Sequence, residues 1–278
     1  MGSEELIKQI RRKRLIFTVT TGRSGTAYLA AVFGYVRGAN SYHEPAPEYV
    51  AVLRQAQGHP EVARRFLLEE KLPAIARDAA GIYVETSHLA CKGFLEPLLE
   101  LGVVPDLVIH RRPMRDVAVS LYTMGTIPGR SSKALRFYLS PADPGVIPLA
   151  DWETLHDYQL CYWYCLEIER RARKYKKMFE GRGGRIVATT LAGLKTAPGL
   201  RRTLTALDLS LKFPAWLTLL RFLRNSRFKV NESKVTKKNV TLPEHLSELE
   251  HDVLGRVDGD ELEKWLPDIR PQGTGDCA

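Results

Sequence analysis

A short segment at residues 20–26 lies between a predicted strand and a predicted helix. At such a junction the first N–H groups of the helix lack backbone partners and the helix dipole is positive, so a phosphate or sulfate group binds readily. The segment supplies two glycines that let the backbone close around an anion, one planar charge and two hydroxyl donors: Gly22, Gly25, Arg23, Ser24 and Thr26. It therefore predicts an anion-binding loop.

The loop differs from the phosphate-binding loop of ordinary nucleotide hydrolases, which reads G-x-x-x-x-G-K-[ST]. Only two residues separate Gly22 from Gly25, and no lysine follows. This spacing argues against ordinary ATP or GTP hydrolysis. The alternative interpretation is a glycine-rich turn that only begins a helix.

A second polar segment follows the predicted strand at residues 107–110. Arg112 stands at the end of that strand and Ser120 lies eight residues further on. Two helical turns of separation would let both side chains converge on one phosphate group. Asp116 is placed near the start of the next helix, where it would cap that helix.

Both segments depend on an alternation of strands and helices. β-Branched, apolar runs predict strands at residues 14–20, 82–86, 107–110 and 185–190. Helical patterns begin at Thr26 and near Asp116, occupy 60–78 with a break near Pro73, and extend over 157–179. This order predicts an α/β fold with a central parallel sheet covered on both faces.

The domain organisation is simple, because no linker or internal repeat interrupts the chain. We expect one domain over residues 1–278, which begins with a basic N-terminal segment at 1–13. Residues 124–150 are rich in Gly, Pro and Ser and predict a long surface excursion, the kind of place where substrate loops occur.

Composition excludes several classes of protein. With 278 residues, 44% hydrophobic and 26% charged, the chain matches ordinary globular proteins rather than disordered or fibrous ones. No apolar run is long enough to span a bilayer, and no apolar segment of a secretory signal follows the N-terminus, so a cytoplasmic location is expected. The net charge of +9 suits an anionic ligand, but no nucleic-acid motif accompanies it. Cys161 and Cys165 lie four apart in a predicted helix and are interpreted as buried thiols, so no metal site is expected.

The two segments together resemble the cofactor signatures of sulfotransferases that use 3′-phosphoadenosine 5′-phosphosulfate (PAPS). In that family an R/K-S-G-T loop holds the 5′-phosphosulfate, and an R-x-x-x-D-x-x-x-S segment holds the 3′-phosphate through its Arg and Ser. Here Arg23 begins the first motif, and the second has Arg112, Asp116 and Ser120. Arginine at position 23 is more similar to the carbohydrate, tyrosyl-protein and bacterial members than to the cytosolic branch, which carries lysine.

The resemblance implies a three-layer, P-loop NTPase-like fold and a reaction without metal. A sulfuryl group would pass from PAPS, by in-line attack with a general base, to a hydroxyl or amine of a small-molecule or glycan acceptor such as a sugar, lipid or other metabolite. The products would include 3′,5′-ADP. Arg23 would stabilise the negative charge that grows on the leaving phosphate.

The general base has three candidates under this resemblance. Glu44, which follows the first helix, matches the position of a base in the tyrosyl-protein enzymes and in some bacterial sugar enzymes. His88, after the second predicted strand, partly matches the catalytic histidine of the cytosolic branch, and His43 is the third candidate. Tyr28 falls where the cytosolic branch stacks a tryptophan on adenine, and a core position is the alternative.

The C-terminal half resembles the family loosely. A basic stretch is similar to the loop that closes over the 3′-phosphate, with Lys237 preferred to Lys234 and Lys238. After the strand at 185–190 the family often reads Y-E-D-L, and that acidic pair is missing here.

Two rival functions remain. One is a small-molecule kinase on the same scaffold, and the other is a catalytically silent protein that binds 3′,5′-ADP (PAP). The missing lysine, and His110 and Arg111 where a kinase would place an Mg²⁺-binding aspartate, argue against the kinase. Arg23 together with Glu44 and His88 argues against the silent protein.

Overall fold

The computed structural model describes residues 2–225 and 240–257. Within them, five parallel strands form one sheet in the order β2-β3-β1-β4-β5. The strands are β1 (Arg14–Val19), β2 (Ala39–Tyr42), β3 (Ile82–Glu85), β4 (Asp106–Arg111) and β5 (Ile186–Thr190). The predicted α/β fold with a central parallel sheet is confirmed. Lys237, Lys234 and Lys238 lie outside the described residues.

The helices that the structure describes connect and cover these strands. They are α1 (Ser3–Arg11), α2 (Thr26–Phe33), α3 (Leu53–Ala56), α4 (Pro60–Phe66), α5 (Leu72–Arg77), α6 (Leu95–Glu100), α7 (Met114–Thr123), α8 (Ser132–Phe137), α9 (Asp157–Phe179), α10 (Leu191–Leu194), α11 (Ala197–Ala206), α12 (Ala215–Asn225) and α13 (Leu246–Arg256). Short 3₁₀ turns occupy Tyr49–Ala51 and Trp152–Thr154, and a π-helical turn occupies Leu67–Lys71.

The sheet separates two hydrophobic cores, because successive strand residues point to opposite faces. On β1, Phe17 enters the larger core, which also contains the buried face of α9. Ile16 enters the smaller core together with Val108 of β4 and residues of α2 and α11. Two helical layers therefore enclose one sheet, which is the predicted three-layer arrangement.

Parallel pairing brings the carboxyl ends of the strands to one edge. Val19 lies opposite Ile109 across β1 and β4, and Tyr42 lies opposite Glu85 across β2 and β3. The residues after β1, β2, β3 and β4 therefore meet at this edge, where ligands of open α/β sheets bind.

Several local predictions differ from the structure. The edge strand β2 was not predicted, and the basic segment at 1–13 contains the helix α1. The irregularity expected near Pro73 lies earlier, because Pro73 fits the first turn of α5 and the π-helical turn precedes it. Residues 124–150 contain α8 and are not wholly on the surface, since Leu139 and Ile147 are buried.

Among the described residues, none of the helices combines the length and apolar character needed to cross a lipid bilayer. The His, Cys, Asp and Glu side chains of these ranges also form no cluster that could hold a metal ion. Cys161 and Cys165 are buried free thiols of α9, as the sequence predicts.

Candidate active site

The predicted anion loop connects β1 to α2. Two of its residues have left-handed backbone conformations, Arg23 with φ 66° and Gly25 with φ 98°. The loop is held by its own side chains: the Ser24 hydroxyl donates to the Thr21 carbonyl over 2.8 Å, and the Thr20 hydroxyl donates to the His110 carbonyl at the end of β4 over 2.6 Å. Ser24 is fully buried, and its carbonyl lies 3.1 Å from His110 Nε2, so the residue shapes the loop from inside.

Gly22 is needed because two aromatic rings approach the loop closely. Its N–H donates to the Tyr164 hydroxyl over 3.2 Å. A Cβ atom at this position would lie 2.5 Å from the Tyr138 hydroxyl and 2.7 Å from the nearest ring carbon. Any side chain here would therefore force the Tyr138 ring or the loop to move.

The second polar segment contacts the loop. One Arg112 Nη atom donates to the Arg23 carbonyl over 2.9 Å, and Arg23 Nε donates to the Ser120 hydroxyl over 3.3 Å. Asp116 lies 3.5 Å from Arg112 Nε. The structure thus brings Arg23, Arg112 and Ser120 together beside the first turn of α2.

The capping role expected for Asp116 is wrong. Helix α7 begins at Met114 after Pro113, and no side chain caps it. Asp116 lies within the first turn with a largely exposed carboxylate. The helix dipole is favourable for a negative charge there, but the carboxylate does not cap the backbone N–H groups of α7.

All three base candidates lie at the same edge of the sheet. Glu44 follows β2 with a φ of 48°, and its Oε1 lies 3.4 Å from His88 Nε2. His43 Nε2 lies 2.8 Å from the hydroxyl of Thr26, the first residue of α2. The Glu44 side chain is 25% exposed, so it can reach a bound molecule.

His88 is enclosed by groups that sequence reasoning missed. Its Nδ1 lies 2.8 Å from Lys92 Nζ, and its ring stacks on Tyr138 with centroids 5.1 Å apart. Burial lowers the pKa of His88 well below its usual range, and the charges of Lys92, His43 and Arg23 lower it further. The neutral imidazole is therefore the resting form.

Lys92 is a fully buried lysine whose ammonium contacts a ring nitrogen of His88 and the carbonyl of Phe137. Burial lowers its pKa to about 7. Its ammonium donates to the Phe137 carbonyl over 2.6 Å and lies over the rings of Tyr138 and Tyr164, at 4.7 and 5.1 Å from their centroids. One signal could have located it, since its place four residues after His88 is a helix-like spacing.

A buried ion pair lies next to the backbone that carries Glu44. Lys71 Nζ lies 2.9 Å from Glu85 Oε1, and both side chains are 1% exposed. The Tyr83 hydroxyl donates to the other carboxylate oxygen over 3.0 Å, and Lys71 donates to the carbonyl of Pro45 beside Glu44 over 3.2 Å. Burial raises the pKa of Glu85, while Lys71 opposes that shift. The pair fixes the backbone that presents Glu44.

Tyr28 is placed in the smaller core. It is 9% exposed, and its hydroxyl lies 3.4 Å from the Leu194 carbonyl. Burial raises its pKa to about 12. Lys195 Nζ is 6.0 Å from the centroid of the ring. Stacking of Tyr28 on adenine stays a prediction.

The end of β5, where the acidic pair of the family is missing, has a structural role. The Thr190 hydroxyl caps α10 by accepting from the Gly193 N–H over 3.1 Å. The next residue, Leu191, packs against the left-handed Gly25, where an added Cβ would lie 3.0 Å from its side chain. An apolar contact therefore supports the anion loop on this side.

Comparison with known proteins gives little beyond this. No protein-family model matches the chain, and no curated protein matches it either. Among solved structures it is similar to mouse sulfotransferase SULT7A1 complexed with PAP, with 16% sequence identity and a TM-score of 0.42 over 97% of this chain and 86% of that one. At so low a similarity, function has to be inferred from the residues of the site.

Proposed function

We propose that the protein is a sulfotransferase that moves a sulfuryl group from PAPS to a hydroxyl or amine of a small-molecule or glycan acceptor. The observation that carries the proposal is the junction of its two polar segments. Arg112 and Ser120, eight residues apart, both contact Arg23 of the anion loop. Arginine at position 23 favours a relationship to the carbohydrate, tyrosyl-protein and bacterial branches.

The residues present fit a donor with two anionic ends. The loop between β1 and α2 lies at a helix N-terminus and has left-handed conformations at Arg23 and Gly25, and loops of this kind can present backbone N–H groups to an anion. Arg112 and Ser120 add a guanidinium and a hydroxyl for a second phosphate. Charge-assisted bonds of this kind are about twice as strong as neutral ones.

Bound PAPS would supply the sulfuryl group and a phosphate leaving group. The chain has to hold both phosphates, neutralise the charge that grows on the leaving oxygen and remove a proton from the acceptor. Arg23 lies in the anion loop and suits the neutralisation of charge on the leaving oxygen. The candidates for removing the acceptor proton lie at the same edge of the sheet and are Glu44, His88 and His43.

Calorimetry with 3′,5′-ADP tests the proposal. We expect binding without metal, and Arg112→Ala should weaken it by about 2–3 kcal/mol, a factor of roughly 30–150, because a charge-assisted contact is lost. Arg65→Ala, which removes an exposed arginine of α4, is the matched control and should bind like the wild type.

Three other outcomes are informative. An unchanged affinity in Arg112→Ala would contradict the role of the second segment. Binding of ATP with Mg²⁺ alone would favour the small-molecule kinase. Binding of 3′,5′-ADP without turnover of PAPS on any acceptor of a broad panel would favour the catalytically silent PAP-binding protein.

A further inference from the structure

Lys92 lies behind His88, on the side of the ring away from Glu44. Its Nζ is 2.8 Å from His88 Nδ1, while the other ring nitrogen, Nε2, is 3.4 Å from Glu44 Oε1. The three side chains thus form a row in which the imidazole stands between an amine and a carboxylate. Lys92 is fully buried and Glu44 is partly exposed, so the row leads from the interior to the surface of the site.

The direction of the hydrogen bonds follows from the chemistry of the two end groups. As an ammonium, Lys92 has three donors and no acceptor, so in that form Nδ1 offers its lone pair to Lys92. A neutral imidazole with Nδ1 unprotonated carries its proton on Nε2. That proton faces Glu44, whose carboxylate can only accept.

The other contacts of Lys92 favour this direction. One N–H donates to the Phe137 carbonyl, and the faces of Tyr138 and Tyr164 lie 4.7 and 5.1 Å away. A carbonyl acceptor and two aromatic faces stabilise a positive charge, so they favour the ammonium, which has no lone pair to accept with, over the neutral amine. The stack of His88 on Tyr138 also holds the imidazole in its plane.

We propose that Lys92 is a positioning residue that holds His88 as the Nε2–H tautomer, so that His88 donates toward Glu44 and does not itself act as the base. This inference rests on the proposed function. The acceptor proton then goes to the Glu44 carboxylate as the acceptor oxygen or nitrogen bonds to sulfur and the bond from sulfur to the phosphate oxygen breaks. Glu44 releases the proton to solvent at its exposed side.

The first test uses the full chain and does not depend on activity. In ¹⁵N-histidine-labelled protein, long-range ¹H–¹⁵N correlation spectra distinguish protonated from unprotonated ring nitrogens, and His88→Gln assigns the signal. We expect an unprotonated Nδ1 and a protonated Nε2 at position 88. A protonated Nδ1 in the wild type would overturn the proposal.

Two variants separate hydrogen-bond donation from charge. Lys92→Gln and Lys92→Met both remove the ammonium, but only glutamine keeps an N–H donor, one bond closer to the backbone. We expect Lys92→Gln to retain the Nε2–H tautomer and Lys92→Met to show a mixture of both. Equal spectra for the two folded variants would contradict the role of the donor. The wild-type spectrum decides the tautomer even if a variant does not fold.

Kinetics then test the base. Glu44→Gln should lower kcat by about 10²–10⁴ with little effect on 3′,5′-ADP affinity, because it removes the proton acceptor and keeps the size of the side chain. His88→Gln should lower kcat less. A larger loss in His88→Gln than in Glu44→Gln would overturn the assignment. If 3′,5′-ADP does not bind the wild type, the proposed function fails, whereas the tautomer is still measured by NMR.

Discussion

Gly22→Ala tests whether the close packing of the Tyr138 ring against Gly22 sets the shape of the anion loop. The added methyl group would meet three Tyr138 atoms at 2.5, 2.7 and 2.9 Å, all closer than nonbonded contacts allow. The Tyr138 ring is 6% exposed and packs between His88 and Tyr164, with ring centroids 5.1 and 5.0 Å away, so it cannot swing aside freely.

The expected cost follows from overpacking. Inserting a methyl group into a packed site costs about 1–3 kcal/mol of unfolding free energy. For a chain of this size that corresponds to a Tm lower by roughly 2–12 °C. Urea denaturation and thermal unfolding both measure the change. Gly255→Ala in α13 is the matched control, because its Cβ meets nothing within 4 Å, and it should be neutral or stabilising by up to about 1 kcal/mol.

A double-mutant cycle identifies the cause. On a Tyr138→Leu background the clashing ring atoms are gone, so Gly22→Ala should cost about 1 kcal/mol less than it does in the wild type. The reasoning would be refuted by a Gly22→Ala variant within about 0.5 kcal/mol of the wild type. An undiminished cost on the Tyr138→Leu background would refute it equally.

Two further predictions concern buried charge. Lys71→Met leaves the Glu85 carboxylate buried without its cation, so urea denaturation should show a free energy of unfolding lower by about 3–5 kcal/mol. The double variant Lys71→Met/Glu85→Gln should recover part of this loss. A Lys71→Met variant as stable as the wild type would contradict the pairing. Burial lowers the pKa of His110 from 6.5 to about 4, so between these values the unfolded chain binds a proton that the folded chain does not. Stability present above pH 6.5 should therefore fall by about 3 kcal/mol as the pH drops to about 4, and His110→Gln should lose this part of the acid dependence in denaturation curves at several pH values.

The parts of the fold that sequence predicts are those with an unbroken local pattern. β1, β4 and β5 are runs of β-branched and apolar residues, and α9 has the predicted bounds Asp157–Phe179. β2 reads ANSY, with one strong strand former in four residues, and among the described strands it pairs only with β3, at the edge of the sheet. Its extended conformation comes from that tertiary pairing, which no local pattern encodes.

The site divides in the same way. The anion loop and the second segment are each contiguous in sequence, so each is visible as a motif, and the structure brings them into contact. The surroundings of His88 come from distant parts of the sequence: Tyr138 of the excursion stacks on its ring, and Tyr164 of α9 packs in turn on Tyr138. Nothing in the spacing of these aromatics relates them to His88, because only packing of the excursion against α9 brings them together.

The anchoring of the excursion has a consequence for protein engineering. Its chain is tied to the helical layer where Trp163 of α9 donates to the Ile147 carbonyl over 3.0 Å, and it carries Tyr138 to Gly22. Residues 124–150 are thus not an interchangeable module. A chimaera that grafts another loop here would inherit a hole beside Gly22 unless it kept an aromatic ring at position 138. Diversification is therefore easiest at exposed positions such as Lys133 and Ala142, while the buried middle of the segment around Tyr138 and Leu139 is constrained by the scaffold.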